Sequence, residues 1–217
     1  MIVFPNAKIN IGINITGRRP DGYHNIETIF YPVKIYDALE ALPGKELSFQ
    51  SSGLGIPGRV EDNLCIKTYH LIKNDYELPP VTIYLNKRIP IGAGLGGGSA
   101  DAAFFIKLID QLFELGMATE QKLHYARQLG ADCAFFIESK PVFAFEKGDR
   151  FEPVNLDLSG YHIALVMPPA HVSTSEAYRG VKPAPVKLSL KELVTLPIYE
   201  WTHSIKNDFE QSVFKNQ

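Results

Sequence analysis

The chain has 217 residues, of which 45% are hydrophobic and 21% charged, a balance typical of a folded globular protein and not of a disordered or fibrous one. Its formal net charge of −2 and its pI near 6.3 exclude the broad basic surface that nucleic-acid-binding proteins usually present. Any phosphate-binding site is therefore expected to be local.

The sequence also indicates the cellular compartment of the protein. It contains no apolar run of the roughly 18 residues that a membrane helix needs, and no basic segment followed by an apolar stretch opens the chain. We therefore expect a cytoplasmic protein. Its two cysteines, Cys65 and Cys133, lie far apart among apolar neighbours, which favours reduced thiols in the core.

The first predicted elements are two strands. Isoleucines alternate with polar or small residues over positions 9–15, which predicts a half-buried strand with Lys8 and Asn10 on its polar face. Turn-forming residues at 17–22 separate it from a second strand predicted over 26–33. The two strands would form a hairpin-like unit.

A loop, a helix and a third strand follow. Residues 51–58 are rich in Gly, Pro and Ser and predict a loop. Asp62 or Asn63 can then cap a helix over 64–72. Alternation over 81–85 predicts the strand, which the glycines further on would end.

Five glycines lie within residues 92–98, directly before a helix predicted from Ser99 to near Gly116. Glycines let the backbone approach a ligand closely, and a helix N-terminus offers free N–H groups and a positive dipole end. Together they favour an anion site, with Ser99 and Asp101 adding a hydroxyl and a carboxylate. The alternative is a flexible turn without a ligand.

Two better-known phosphate motifs do not account for this loop. The spacing G-x-G-x-x-G occurs at residues 92–97, but no acidic residue closes a second strand about 20 residues on, as a dinucleotide site requires. A Walker A loop has Lys before Ser or Thr after its final glycine, whereas Ser99 follows Gly98 directly.

Asp132 follows a helix that Thr119 is predicted to cap and Gly130 to end. Its neighbours over 131–137 are mostly apolar, so an ionised carboxylate there needs a partner. Taken alone, such an Asp is more often a cap or turn residue, and a lysine like Lys8 is more often a solvated strand lysine. A Lys–Asp pair facing a phosphate loop would suit phosphoryl transfer, which depends on positioning and charge neutralisation.

The last part of the chain has weaker patterns. Extended structure is predicted over 142–145, and a short apolar strand over 162–167 ends in two prolines at 168–169. Helices are predicted over 189–196 and from about Asp208 onward. A loop near 154–160 suggests a domain boundary.

Several segments resemble one enzyme superfamily. Residues 90–100 (PIGAGLGGGSA) resemble the P-x-x-x-G-L-G-S/G-S-S/A phosphate loop of the GHMP kinases. Residues 7–10, 17–24 and 130–136 are similar, in the same order, to motifs of the GHMP kinases that act on 4-diphosphocytidyl-2-C-methyl-D-erythritol in the non-mevalonate route to isoprenoid precursors.

This resemblance implies an α/β protein with the two-lobed α+β GHMP kinase fold. Residues 1–155 would form the N-terminal ATP-binding domain with a mixed sheet and helices, and 156–217 a partial C-terminal α/β domain. It implies ATP as phosphoryl donor, Mg²⁺ as metal, and a cytidine-diphosphate-linked methylerythritol as the small-molecule partner, without nucleic acid or membrane.

The resemblance also implies roles for individual residues. Asp132 would be the general base, Lys8 its charge partner, and Ser99 the residue near Mg²⁺. The implied nucleotide-binding residues are Pro90, Ile91, Gly92, Ala93, Gly94, Leu95, Gly96, Gly97, Gly98, Ser99 and Ala100, with Asn63 and Lys87 as weaker candidates.

For the second substrate, the resemblance places Asn10, Tyr23 and His24 around the cytidine diphosphate, with Tyr178 as the aromatic residue opposite His24. A base stacked between two flat rings is physically reasonable. Without the resemblance, His24 is interpreted as an ordinary turn histidine and Tyr178 as a half-buried helix aromatic.

The family's third motif, a G-S-G loop, has no counterpart after Tyr178, so we expect this sequence to be a truncated member. Two other functions stay open. One is a GHMP kinase for mevalonate, homoserine or a sugar, against which Tyr23 and His24 argue. The other is a non-catalytic nucleotide- or RNA-binding module of the same fold, against which the acidic pI argues.

Overall fold

A computed structural model describes residues 1–167 and 174–214, and within them the strands form two four-stranded sheets. One sheet has the order β1-β4-β6-β5 and the other β2-β3-β7-β8. The strands are β1 (Ile2–Val3), β2 (Asn6–Arg18), β3 (His24–Tyr36), β4 (Ala38–Pro43), β5 (Ser48–Gly53), β6 (Val81–Lys87), β7 (Val142–Glu146) and β8 (Arg150–Pro153).

The described helices fall into one group before β7 and another after β8. They are α1 (Leu64–Lys73), α2 (Gly97–Leu112), α3 (Thr119–Leu129), α4 (Phe135–Glu138), α5 (Thr174–Arg179), α6 (Leu190–Leu193), α7 (Ile198–Ser204) and α8 (Phe209–Val213). The predicted mixed α/β class is therefore confirmed. In the described part of the chain, no helix combines the length and apolar composition needed to span a bilayer.

The chain divides into two compact units. Unit 1 comprises Met1–Ile9 and Pro32–Lys140, and unit 2 comprises Asn10–Tyr31 and Pro141–Gln217. The division falls inside β2 and β3, so each of these strands contributes residues to both units. The domains expected at 1–155 and 156–217 stay a prediction.

Unit 1 contains the sheet β1-β4-β6-β5 and the helices α1 to α4. Strand β5 runs parallel to β6, and the other pairs are antiparallel. Helix α2 contacts β4, α1, α3 and α4, and the centre of this layer is fully buried. The alternation that predicted β6 reflects this arrangement, because Val81, Ile83 and Leu85 turn toward the core.

Unit 2 contains the sheet β2-β3-β7-β8 and the short helices α5 to α8. Ile13, Ile15 and Ile26 form a buried cluster, in which Ile13 and Ile15 come from the alternation that predicted β2 and Ile26 from β3. Tyr178 and Phe209 pack against this cluster from α5 and α8. The described part of α5 is thereby attached to the sheet by apolar contacts.

Two local predictions were wrong. The strand predicted over 162–167 is absent, because no strand in the described chain pairs with these residues, and Val166 is 88% exposed. The two prolines at 168 and 169 lie outside the described residues. Thr119 does not cap α3 but is its first residue, and Ala118 occupies the N-cap position, its N–H donating to Gln121 Oε1 at 2.8 Å. The predicted helices beginning near Ser189 and Asp208 are confirmed as α6 and α8.

Candidate active site

The glycine segment forms the turn between β6 and α2, as predicted. Gly92, Gly94 and Gly96 have φ angles of 74°, 72° and 71°, in the left-handed region that favours glycine. Gly96 is the N-cap residue of α2. The first N–H groups of a helix have no partners within the helix, so this turn presents donors and a positive dipole end to an anion.

Gly96 is also required by the space around it. A Cβ at this position would lie 2.8 Å from Phe136 Cζ and 3.2 Å from Lys8 Cε. Phe136 belongs to α4, which follows Asp132 closely. The glycine turn is thus in direct contact with the segments that carry both predicted catalytic residues.

Lys8 and Asp132 form an ion pair. Their Nζ and Oδ2 atoms are 3.2 Å apart, and the Lys8 backbone N–H donates to the Leu95 carbonyl oxygen at 2.9 Å. The Lys8 side chain is only 6% exposed, so the solvated strand lysine expected from the alternation is wrong. The glycine turn and Asp132 contact Lys8, which the local pattern places on a polar strand face.

Asp132 is less enclosed than its apolar neighbours suggested, since its side chain is 35% exposed. It lies in a turn between α3 and α4, closed by a hydrogen bond from the Cys133 N–H to the Gly130 carbonyl oxygen. An exposed edge on a paired carboxylate leaves room for a ligand atom to approach it.

Cys133 links this turn to the first turn of α2. Burial raises the pKa of the Cys133 thiol to about 11, although a hydrogen bond with the Ser99 hydroxyl opposes that shift. The thiol is therefore neutral at physiological pH. Both cysteines are free and buried, which confirms the core-thiol prediction.

Asn63 and Lys87, the two weaker candidates for nucleotide binding, have different structural environments. Asn63 caps α1, its Oδ1 accepting from the Cys65 N–H at 2.9 Å. Lys87 is buried, and its ammonium donates to Asp37 Oδ2 and to Asp101 Oδ2. The Lys87 ammonium is thus enclosed by carboxylates beside α2 and does not face the solvent.

Asp101 is also part of this cluster, through the hydrogen bond that its Oδ2 accepts from Lys87. It is 4% exposed, and its Oδ1 has no hydrogen-bond partner among the described residues. Burial raises the pKa of Asp101 to about 7, and the charge of Asp37 adds to that rise, while Lys87 opposes it. Asp37 carried no signal in the sequence, because only the packing of β3, β6 and α2 brings it to Lys87.

We expect stability to fall as the pH rises toward about 7. The Asp101 carboxyl titrates near its ordinary 3.8 when unfolded and at about 7 when folded, so between these values the folded state binds more protons. The free energy of unfolding therefore decreases with rising pH. In urea unfolding, the wild type should lose a few kcal/mol between about pH 5 and about pH 8 relative to Asp101→Asn, which keeps an oxygen toward Lys87. Parallel pH profiles for the two proteins would contradict this.

Lys107 is a residue that the sequence did not single out. Its ammonium donates to the carbonyl oxygens of Phe136 at 3.0 Å and Ile137 at 3.3 Å, and it lies 3.4 Å from the centroid of the Phe104 ring. Burial lowers the pKa of Lys107 to about 8. The contact ties α2 to α4, and thereby to the segment that follows Asp132.

In unit 2, His24 and Tyr178 stack directly on each other. Their ring centroids are 4.9 Å apart with an interplanar angle of 19°, so no base fits between them in this arrangement. The expected sandwich requires the two rings to separate. The Nε2 atom of His24 is buried and has no hydrogen-bond partner among the described residues.

The other two predicted substrate residues lie in the same unit. The Asn10 side-chain amide donates to Thr28 Oγ1 at 3.0 Å. Tyr23 is 63% exposed, and Lys147 Nζ lies 5.4 Å from its ring centroid. The predicted residues therefore separate into a set around the glycine turn in unit 1 and an aromatic and polar set in unit 2.

Comparison with known proteins identifies the family to which the chain belongs. The sequence profile of the GHMP kinases N terminal domain matches residues 63–140, which include the glycine turn and Asp132. A 4-diphosphocytidyl-2-C-methyl-D-erythritol kinase of Bacteroides fragilis is 53% identical over 218 residues, covering 99% of this chain and 80% of that protein. The enzyme of that name from Parabacteroides distasonis is 51% identical, with 99% and 79% coverage.

A crystal structure of a 4-(cytidine 5'-diphospho)-2C-methyl-D-erythritol kinase superposes with a TM-score of 0.77 at 29% identity, covering 100% of this chain and 78% of that one. Sequence identity above 50% to these two enzymes, over 99% of the chain, shows that this protein is homologous to them. The chain therefore belongs to the GHMP kinases and, within them, to the 4-diphosphocytidyl-2-C-methyl-D-erythritol kinase family.

Proposed function

We propose that this chain transfers the γ-phosphoryl group of ATP to the 2-hydroxyl of 4-diphosphocytidyl-2-C-methyl-D-erythritol, in the cytoplasm. The observation that carries the proposal is the ion pair between Lys8 and Asp132 beside a glycine turn at a helix N-terminus. The Lys8 backbone is itself hydrogen-bonded to that turn, so the acid–base pair and the phosphate donors belong to one rigid cluster.

The glycine turn would bind the ATP phosphates. Its left-handed glycines leave the amides uncovered, and the N-terminus of α2 adds a favourable field for negative charge. In phosphoryl transfer most of the catalytic effect comes from positioning and from charge stabilisation, which these backbone groups supply.

Asp132 would accept the proton of the acceptor hydroxyl as its oxygen attacks phosphorus. A new O–P bond forms, the bond from the γ-phosphorus to the bridging oxygen breaks, and ADP leaves with that electron pair. Lys8, whose Nζ lies 3.2 Å from Asp132 Oδ2, would hold that carboxylate in place and stabilise negative charge developing on the oxygen. The exposed third of the Asp132 side chain is the part that the hydroxyl would approach.

Mg²⁺ would neutralise the phosphates and orient them when bound. Ser99, in the first turn of α2, would hold it, because Mg²⁺ prefers oxygen ligands and usually binds through one or two protein groups together with phosphates and water. The fit is supported by the Ser99 environment. The Ser99 hydroxyl lies beside the neutral Cys133 thiol, a weak hydrogen-bonding group, so its oxygen lone pairs stay available to a cation.

The cytidine end of the acceptor would bind in unit 2. His24 has a buried Nε2 without a partner in the described residues, and a base with polar edges would satisfy it. Tyr178 and Tyr23 supply flat apolar faces, and Asn10 an amide. Binding a base against His24 would involve a change in its direct stack with Tyr178.

The test is turnover with three acceptors. We expect ADP formation with 4-diphosphocytidyl-2-C-methyl-D-erythritol and no activity above background with mevalonate or homoserine, because neither has a base to contact His24 and Tyr178. Turnover of mevalonate or homoserine alone would replace the acceptor assignment with another GHMP kinase activity. ATP binding without turnover of any acceptor would favour a non-catalytic module.

A further inference from the structure

A buried cluster of three ionisable residues joins the two ends of the glycine turn. Asp37 follows β3, Lys87 is the last residue of β6, and Asp101 lies in α2, five residues after the N-cap glycine. Each is at most 4% exposed. We refer to these three residues as the Asp37–Lys87–Asp101 cluster.

The strand end of the turn is held by Asp37. Its Oδ1 accepts hydrogen bonds from the backbone N–H groups of Arg88 and Ile89, the latter at 2.8 Å, while its Oδ2 accepts from Lys87 Nζ. One carboxylate therefore fixes both the backbone that enters the turn and the side chain of the residue before it.

The helix end is held by Lys87. Its Nζ donates to Asp101 Oδ2 at 2.7 Å. A Cβ placed on Gly97 would lie 2.8 Å from the same Nζ, so the ammonium also packs against the first residue of α2. The exit of the strand and the start of the helix are thus connected through a single ammonium group.

Stability alone is a weak reason for this arrangement. Burying an ammonium with two carboxyl groups has a large desolvation cost, and well-packed apolar residues commonly stabilise a fold as well as or better than a buried ion pair. What charged hydrogen bonds add is direction, because Lys87 is held at defined atoms of two separate elements. A phosphate loop needs this, since its donors must be in place before the anion arrives.

We propose that the Asp37–Lys87–Asp101 cluster positions the amides of the glycine turn for the ATP phosphates, so that Lys87 and Asp101 act in nucleotide binding without touching the nucleotide. This rests on the proposed function, because it takes ATP as the ligand of the turn. It also changes the expectation for Lys87, from a contact residue to a positioning residue.

The test measures equilibrium binding of Mg²⁺–ATP to the chain. Asp101→Ala frees the Lys87 ammonium from α2, and we expect the Kd for ATP to rise roughly 10- to 100-fold, the effect of a misplaced binding group. Asp101→Asn keeps an oxygen acceptor for Lys87, and it should return the Kd to within about threefold of the wild type. Affinity for cytidine 5'-diphosphate should stay within about twofold.

The matched control is Asp110→Ala. Asp110 is a buried carboxylate on the same helix, paired with Lys122 at 2.6 Å and with the Met117 N–H at 2.9 Å, but it lies near the other end of α2. This variant should lose stability in urea unfolding as Asp101→Ala does, while its Kd for ATP stays within about twofold. A purely structural role for Asp101 would make the two variants behave alike.

The outcomes separate the proposals. If the wild type binds ATP and Asp101→Ala binds it equally well, or if Asp110→Ala weakens binding as much, the positioning role is wrong and the kinase function stands. If the wild type does not bind ATP, both proposals are wrong.

A second variant, Asp37→Asn, is used if Asp101→Ala fails to fold by circular dichroism. The amide oxygen of the substituted side chain can still accept from the Arg88 and Ile89 N–H groups, but the negative charge beside Lys87 is lost. The same selective loss of ATP affinity is then expected, and an unchanged Kd overturns the positioning role.

Discussion

Asp132→Asn is expected to lower kcat roughly 10²- to 10⁴-fold, because an amide cannot take the proton of the acceptor hydroxyl. The KM values for ATP and for the acceptor should change little, since the side chain keeps its shape. The free energy of unfolding should also change little. The Asp132 side chain is 35% exposed, so its ion pair with Lys8 contributes about 1 kcal/mol or less to stability. Steady-state kinetics and urea unfolding on the same preparation distinguish a lost base from a lost fold.

The control for this variant is Asp157→Asn, which neutralises an exposed carboxylate in unit 2 and should leave kcat within about twofold. An Asp132→Asn protein that retains more than about a tenth of the wild-type kcat would rule out Asp132 as the general base. The ion pair with Lys8 would then be a structural contact of the turn.

Gly96→Ala is expected to reduce kcat/KM for ATP about 100-fold, the cost of displacing a binding group by about 1 Å. Two effects act together. Alanine is strained at a φ of 71°, by about 1–2 kcal/mol, and its Cβ would lie 2.8 Å from Phe136 Cζ. Either the glycine turn or Phe136 must move, and both movements disturb the contact between the turn and the Lys8 side chain.

Gly116→Ala separates these two effects. Gly116 has a similar φ of 67°, and an added Cβ there meets nothing within 4 Å. The variant should therefore show the cost of backbone strain in urea unfolding without a change in kcat/KM for ATP. If Gly96→Ala shows the same behaviour as Gly116→Ala, the close packing of Gly96 has no role in ATP use.

Local patterns in the sequence identified most of the elements around the site. The isoleucine alternation predicted the β2 residues that pack at Ile13 and Ile15, and the glycines followed by apolar spacing predicted a turn into α2. These features depend on hydrophobic periodicity and on the backbone preferences of a few neighbouring residues, and both can be read directly from the sequence. The apolar run at 162–167 misled for the same reason, because a strand also requires a neighbour with which to pair.

Side-chain environments could not be obtained in this way. The spacing around Lys8 indicates a polar strand face, yet the residue is buried beside the glycine turn. Asp37 has no local feature that marks it, and His24 and Tyr178 stack directly where a gap for a base was expected. Each of these depends on segments that are distant in sequence.

The sequence alone therefore determined the family, the glycine turn and the identity of the candidate base, because each is encoded in a short contiguous motif. The tertiary structure decided that Lys8 pairs with Asp132 and that Lys87 lies between Asp37 and Asp101. Burying an ammonium requires carboxylates within hydrogen-bonding distance, and only the packed chain brings such groups together from separate elements.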